Sequence, residues 1–297
     1  MKKVSFLVSL IVFTVFANAA EVVVNPKGWK SGDSRNYKCV TVDNKGEILN
    51  HELVMRVNSV EADKYLVDYK HVTDTTSNSY LGIKKMFGDK LAESMNEFVY
   101  KISLSKQGEF GNFENYQELK GLFGGGVVEA MLQALVGTSQ EDAEKMYLSE
   151  IKSIFCYMNK KFDDKKDNLV KRDFIEKVSV YEDVEANVKA EVSKGKQIFT
   201  LEANLSEEEF ISETEKAFRE TINSLAKSMG VQPSMFEDKV KERMDELKNL
   251  KLSAVIKEKV VFDEKTGWLI SYDRVMELHS AVTGETFIES RCTISGK

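Results

Sequence analysis

Only one long apolar run occurs in this 297-residue chain, Val4 to Phe16, and nothing of similar length follows it. It falls short of the roughly 20 residues a helix needs to cross a bilayer, so a membrane-spanning protein is not expected. Met1-Lys2-Lys3 precedes the run and Ala17-Asn18-Ala19 follows it. A positive start, an apolar middle and small residues before the cut read as a secretory signal peptide, residues 1–19, cleaved before Ala20. No cysteine stands just after the cut, which speaks against a lipid-modified form. The expected product is residues 20–297, exported to the periplasm or the exterior.

Positive charge is also scarce. The formal net charge is −6, and loss of Lys2 and Lys3 takes it to −8. Nucleic acid and anionic membranes reward clustered positive charge, so neither is an expected partner. Only seven basic residues are arginine, and lysine lacks the planar fork that grips phosphate at two points. Cysteine is limited to Cys39, Cys156 and Cys292. An oxidising compartment permits one disulfide and leaves one thiol over. Cys39 with Cys292 is the favoured disulfide, because each lies in a strand-like segment near one end of the mature chain. The alternative is three free thiols acting as small apolar groups.

Catalytic signatures are missing as well. No Gly-x-Ser-x-Gly elbow is present. His51, His71 and His279 stand at no local metal-ligand spacing, and each reads as a half-exposed strand residue. No metal or cofactor is expected. Cys156 sits in an apolar helix stripe, which suits an inert thiol better than an activated one. Acidic clusters such as Glu207-Glu208-Glu209 fall at helix starts, where they complement the dipole. Gly124-Gly125-Gly126 lacks the Lys-Ser/Thr of a phosphate loop.

What is present is ordinary globular composition, 42% hydrophobic and 30% charged. Strand alternation marks 36–42, 47–58 and 64–73, the first two joined by a turn at Asn44-Lys45-Gly46. Further strands are expected at 100–105, within 170–202, and over 253–263, 267–279 and 285–295. Helical spacing marks 82–96, 119–136, a segment after Ser139, one after Ser206, and one after Pro233. Strands and helices come in separate runs, which is α+β rather than alternating βαβ. The expectation is a strongly curved antiparallel sheet, a half-open barrel, with about five helices on one face. It forms a single domain over 20–297, with two β-helix-β halves, 20–165 and 166–297, as the alternative.

Three glycines inside the apolar stretch 119–136 suggest either a helix-helix joint or a pliable lid over a cavity. On the second reading Phe87, Leu122, Phe123, Val127, Met131 and Leu135 would line a site for an apolar ligand.

The segment Phe262-Asp263-Glu264-Lys265-Thr266-Gly267-Trp268-Leu269, with the strand order, resembles the periplasmic lipoprotein-carrier superfamily of bacteria and secreted bacterial proteins of that build. The resemblance covers most of the mature chain in outline and about ten residues in detail. It implies a concave apolar surface suited to a lipid or acyl chain, and it transfers no functional residue. Three functions remain open. One is a non-enzymatic exported protein holding an apolar ligand. Another is an envelope structural or interaction protein with no small ligand, its protein partner unknown. The third is an extracytoplasmic hydrolase with dispersed residues.

Overall fold

The computed structural model describes residues 20–46, 48–122, 139–176 and 179–296. The proposed leader and Gly124–Gly126 lie outside them. A two-residue strand, β1 (Glu21–Val22), pairs with a similar one, β7 (Phe162–Asp163). Strands β2 (Ser34–Asp43), β3 (Ile48–Val60), β4 (Lys64–Thr73), β5 (Tyr100–Ser105) and β6 (Phe110–Phe113) form one meander. Strands β8 (Asn168–Glu176), β9 (Ser179–Ser193), β10 (Lys196–Leu205), β11 (Leu252–Asp263), β12 (Leu269–Ser280) and β13 (Thr286–Gly296) form a second. The meanders fuse where β2 pairs antiparallel with β13, giving one eleven-stranded sheet in the order β6-β5-β4-β3-β2-β13-β12-β11-β10-β9-β8. Its ends, β6 and β8, do not pair, so the sheet is open.

Seven α-helices are described rather than about five: α1 (Asn78–Phe87), α2 (Asp89–Glu97), α3 (Tyr116–Leu122), α4 (Gln140–Tyr147), α5 (Ser149–Phe155), α6 (Glu207–Met229) and α7 (Glu237–Leu250). Two splits account for the excess. Gly88, at φ 88°, cuts the expected helix over 82–96, a conformation open to glycine and strained for other residues. Leu148, at φ −119° and ψ 7°, cuts the helix that starts after Ser139. The helix starts follow the sequence reading. Ser139 with Asp142, and Ser206 with Glu209, both close capping boxes.

Strand alternation sorts side chains by face. Tyr65, Val67 and Tyr69 of β4 are buried, while Leu66, Asp68 and Lys70 between them are not. The same face continues through Leu53, Met55 and Val57 on β3, Ile256 and Val260 on β11, and Phe199 and Leu201 on β10. Ile151, Ile154 and Phe155 of α5, and Phe210 and Ile211 of α6, join this single core. Plain alternation into β12 would put Trp268, Ile270 and Tyr272 on one face, and a bulge breaks it. Val261 pairs with Ser271 and Phe262 with Leu269, so Ile270 is left over.

The hairpin from Asp263 to Gly267 is built on one carboxylate. Asp263 Oδ1 accepts from the Lys265 and Thr266 amides and the Thr266 hydroxyl. Trp29 latches onto it, stacking on Trp268 at 4.1 Å and donating its ring N–H to the Thr266 carbonyl at 2.8 Å.

One charged residue shares the apolar face. Glu258 lies on the parity of Ile256 and Val260, and its side chain is 0% exposed. Arg172 reaches its two oxygens at 2.7 and 3.3 Å. The Tyr157 and Tyr272 hydroxyls donate to it at 3.0 and 3.3 Å. Arg274 stands 3.7 Å away, and the Phe174 ring faces both guanidiniums. A buried carboxylate is tolerable only with such a shell. Removing one partner of a buried ion pair costs about 3–5 kcal/mol. Glu258→Gln is expected to lose that much, read as a lower urea midpoint at an unchanged slope. A loss below about 1 kcal/mol would show that the carboxylate does not hold the arginines in place.

Candidate functional site

The β2–β3 hairpin turns about Lys45, pairing Val42 with Ile48 and Cys39 with His51. β4 lies beyond β3 and brings His71 opposite Leu53, two residues along from His51 on the same face. On the other side of β2, β13 sets Ile294 opposite Cys39 and Cys292 opposite Thr41. The central strands therefore gather Cys39, Cys292, His51 and His71 on the helix-facing side. Helix α5 lowers Glu150 onto them from above. Cys39 Sγ, a His51 ring nitrogen and a Glu150 carboxylate oxygen lie within 4.8 Å of one another. Cys292 Sγ donates to Glu150 Oε1 at 2.9 Å, and the Tyr69 hydroxyl donates to Oε2 at 3.3 Å. The His51 and His71 rings stand 4.9 Å apart, and Tyr69 meets His71 edge-on at 4.8 Å.

Burial dominates the electrostatics of this cluster. It pushes the Cys39 and Cys292 thiols well above the ordinary cysteine range, with Glu150 adding to the rise. It lowers His51, and takes His71 down to about 4, against the opposing pull of Glu150. At neutral pH the cluster thus presents two protonated thiols and two neutral imidazoles beside a carboxyl group. Thiols held protonated are poor nucleophiles. His51 differs from the rest. Both of its ring nitrogens are closed to solvent and neither has a hydrogen-bond partner. A neutral imidazole carries one donor and one acceptor, and leaving such groups buried and unpaired costs about 1–3 kcal/mol each.

The expected disulfide between Cys39 and Cys292 is not formed, and all three cysteines are free. The strand pairing that suggested it is present. The register is the obstacle: the two residues are diagonal neighbours, each opposite a different partner. Diagonal positions on paired strands stand about 7–8 Å apart, at or beyond the reach of a disulfide. Cys156 is separate from the cluster, donating to the Ser153 carbonyl at 3.0 Å with its thiol raised by burial.

The apolar lining expected from sequence is only partly placed. Phe87 ends α1 and is half-buried, and Leu122 ends α3 and packs against the core. Phe123, Val127, Met131 and Leu135 lie outside the described residues. Glu208 and Glu209 of the acidic helix start border a charged groove of about 600 Å³ between β9 and α6, shared with Glu182, Asp183 and Glu213. It is a solvated surface, as the sequence suggests.

No family model matches the chain. No curated protein matches it either. Among solved structures it is similar to a candidate exported protein with a YmcC-like fold from Bacteroides fragilis NCTC 9343, at 9% identity and a TM-score of 0.22, covering 92% of this chain and 99% of that one. It is also similar to a conserved protein of unknown function with a hot dog fold from Alicyclobacillus acidocaldarius, at 7% identity and a TM-score of 0.12, covering 91% and 81%. Similarities of this size establish neither a shared fold nor a shared function. Among the described residues no helix is long and apolar enough to cross a membrane.

Local spacing hid this cluster. No two of its residues sit at helical ligand intervals. The hairpin turn was the available signal, since a turn centred on Lys45 sets residue 39 opposite 51. Glu150 had no such signal.

Denatured without reductant, the protein is expected to titrate three thiols. One thiol in place of three would restore the disulfide and displace the geometry above.

Proposed function

We propose that this chain is an exported, non-enzymatic binding protein whose ligand is taken up at the seam between the central strands and α5. Export rests on the leader pattern of residues 1–19. The observation that carries the binding reading is His51, whose two ring nitrogens are both buried without hydrogen-bond partners, beside a carboxylate and two thiols on the same face of the sheet. Unpaired buried groups in a native fold call for an explanation, and local sacrifice of stability is a mark of functional sites. The protonated state of both thiols speaks against nucleophilic catalysis by either of them. His51, Glu150 and Cys292 are each half-buried as residues, although the His51 ring nitrogens themselves are closed to solvent.

Native mass spectrometry of the protein purified from the exported fraction tests this. The expected result is a mass above that of the polypeptide, lost on unfolding and lost in Glu150→Gln. A bare polypeptide mass in the unaltered protein would overturn the reading. An excess that organic solvent extracts would instead favour the apolar ligand suggested by Phe87 and Leu122.

A further inference from the structure

We propose that the seam binds a borderline-soft divalent metal ion, zinc in the first instance, through Cys39 Sγ, Cys292 Sγ, a His51 ring nitrogen and a Glu150 carboxylate oxygen. This rests on the seam being a binding site and names the chemical class of its ligand.

The donor set is the first argument. Two sulfurs, one imidazole and one carboxylate are ligands that zinc takes in tetrahedral sites. Calcium and magnesium want an all-oxygen shell of six or more ligands, and the seam offers one carboxyl group. The spacing is the second argument. Bonds of about 2.0–2.3 Å in a tetrahedron place neighbouring donors about 3.4–3.8 Å apart. Cys39, His51 and Glu150 already lie within 4.8 Å of one another, and Cys292 Sγ is 2.9 Å from Glu150 Oε1. Cys292 is not among the three mutually close donors, so it joins the shell only by turning its Sγ from Glu150 toward Cys39 and His51.

The third argument is the support around the donors. Three of them stand on the paired central strands β2, β3 and β13, and the fourth on a helix packed against those strands. Tyr69 holds the second oxygen of Glu150, and the His71 ring lies against His51. Partners of this kind orient metal ligands and keep them in place. Without an ion, the Cys292 thiol spends its proton on Glu150 and His51 spends nothing on anything. With one, two metal–sulfur bonds form, two thiol protons pass to solvent, and the His51 nitrogen gains a partner. Four protein ligands leave no open coordination position, which is the arrangement of structural and carrier sites rather than catalytic ones.

Cobalt(II) titration of the metal-free, reduced full chain tests the proposal. The expected result is one equivalent bound, with tetrahedral d–d bands, a near-ultraviolet sulfur-to-cobalt band, and displacement by zinc. Cys292→Ser should weaken the sulfur band by about half and lower affinity at least about tenfold. His51→Leu should abolish binding while leaving the thermal midpoint of the metal-free protein unchanged or raised, since it removes two unpaired buried nitrogens. A purely structural histidine would give the opposite pattern. Absence of the bands, or the same bands in both variants, would overturn the proposal. A bound species in the exported protein together with no uptake of cobalt or zinc would sink the metal and keep the seam. No bound species and no metal uptake would sink both.

Discussion

The pairing of β2 with β13 is the contact on which the rest of this structure depends. These are the first and last strands of the large sheet, separated by most of the chain, and their ladder runs from Asp43–Ser290 to Tyr37–Gly296. Without it there are two meanders, each with an unpaired strand edge, a form that natural proteins avoid. With it there is one sheet and one core. Closing so long a loop is entropically unfavourable but grows only slowly with length, and the buried side chains along the joint, Tyr37, Cys39, Ile294 and Tyr272, offset it. The same ladder is what brings Cys292 beside Cys39.

Among the described residues, two polar clusters share the helix-facing side of the sheet, one around Glu258 and one around Glu150. Around Glu258, every oxygen of a sealed carboxylate is matched by a guanidinium or a tyrosine hydroxyl. That network satisfies both carboxylate oxygens and acts as an internal staple between β8, β11 and the segment after α5. Around Glu150, two thiols, two imidazoles and a tyrosine converge, yet His51 is left with nothing to bond. A half-satisfied network is less favourable than an apolar core. That cost at His51 is the observation behind the proposed binding site.

Much of the fold was legible. Period-two alternation marked β4, β5 and the three C-terminal strands, and capping residues marked α4 and α6. What escaped was governed by single residues or by tertiary context. Gly88 and Leu148 divide helices whose apolar spacing runs straight through them. β6 is four residues, Phe110 to Phe113, too short to show alternation, and exists because β5 offers it a partner. For the site, Cys39 and Cys292 were picked out together, for the right strands and the wrong bond, because sequence conveys neighbourhood but not register. His51 was implicit in the turn at Lys45. Glu150 was not legible, since an exposed-looking residue in a charged helix acquires its role only when α5 docks on the sheet.

The most direct test of the central claim is X-ray absorption at the zinc edge on the zinc-loaded protein. The account predicts a first shell of two sulfurs at about 2.3 Å and two nitrogen or oxygen atoms at about 2.0–2.1 Å. Two sulfurs on one ion is what Cys39 and Cys292 on the adjacent strands β2 and β13 would supply. A shell of nitrogen and oxygen alone, or of a single sulfur, would contradict the site.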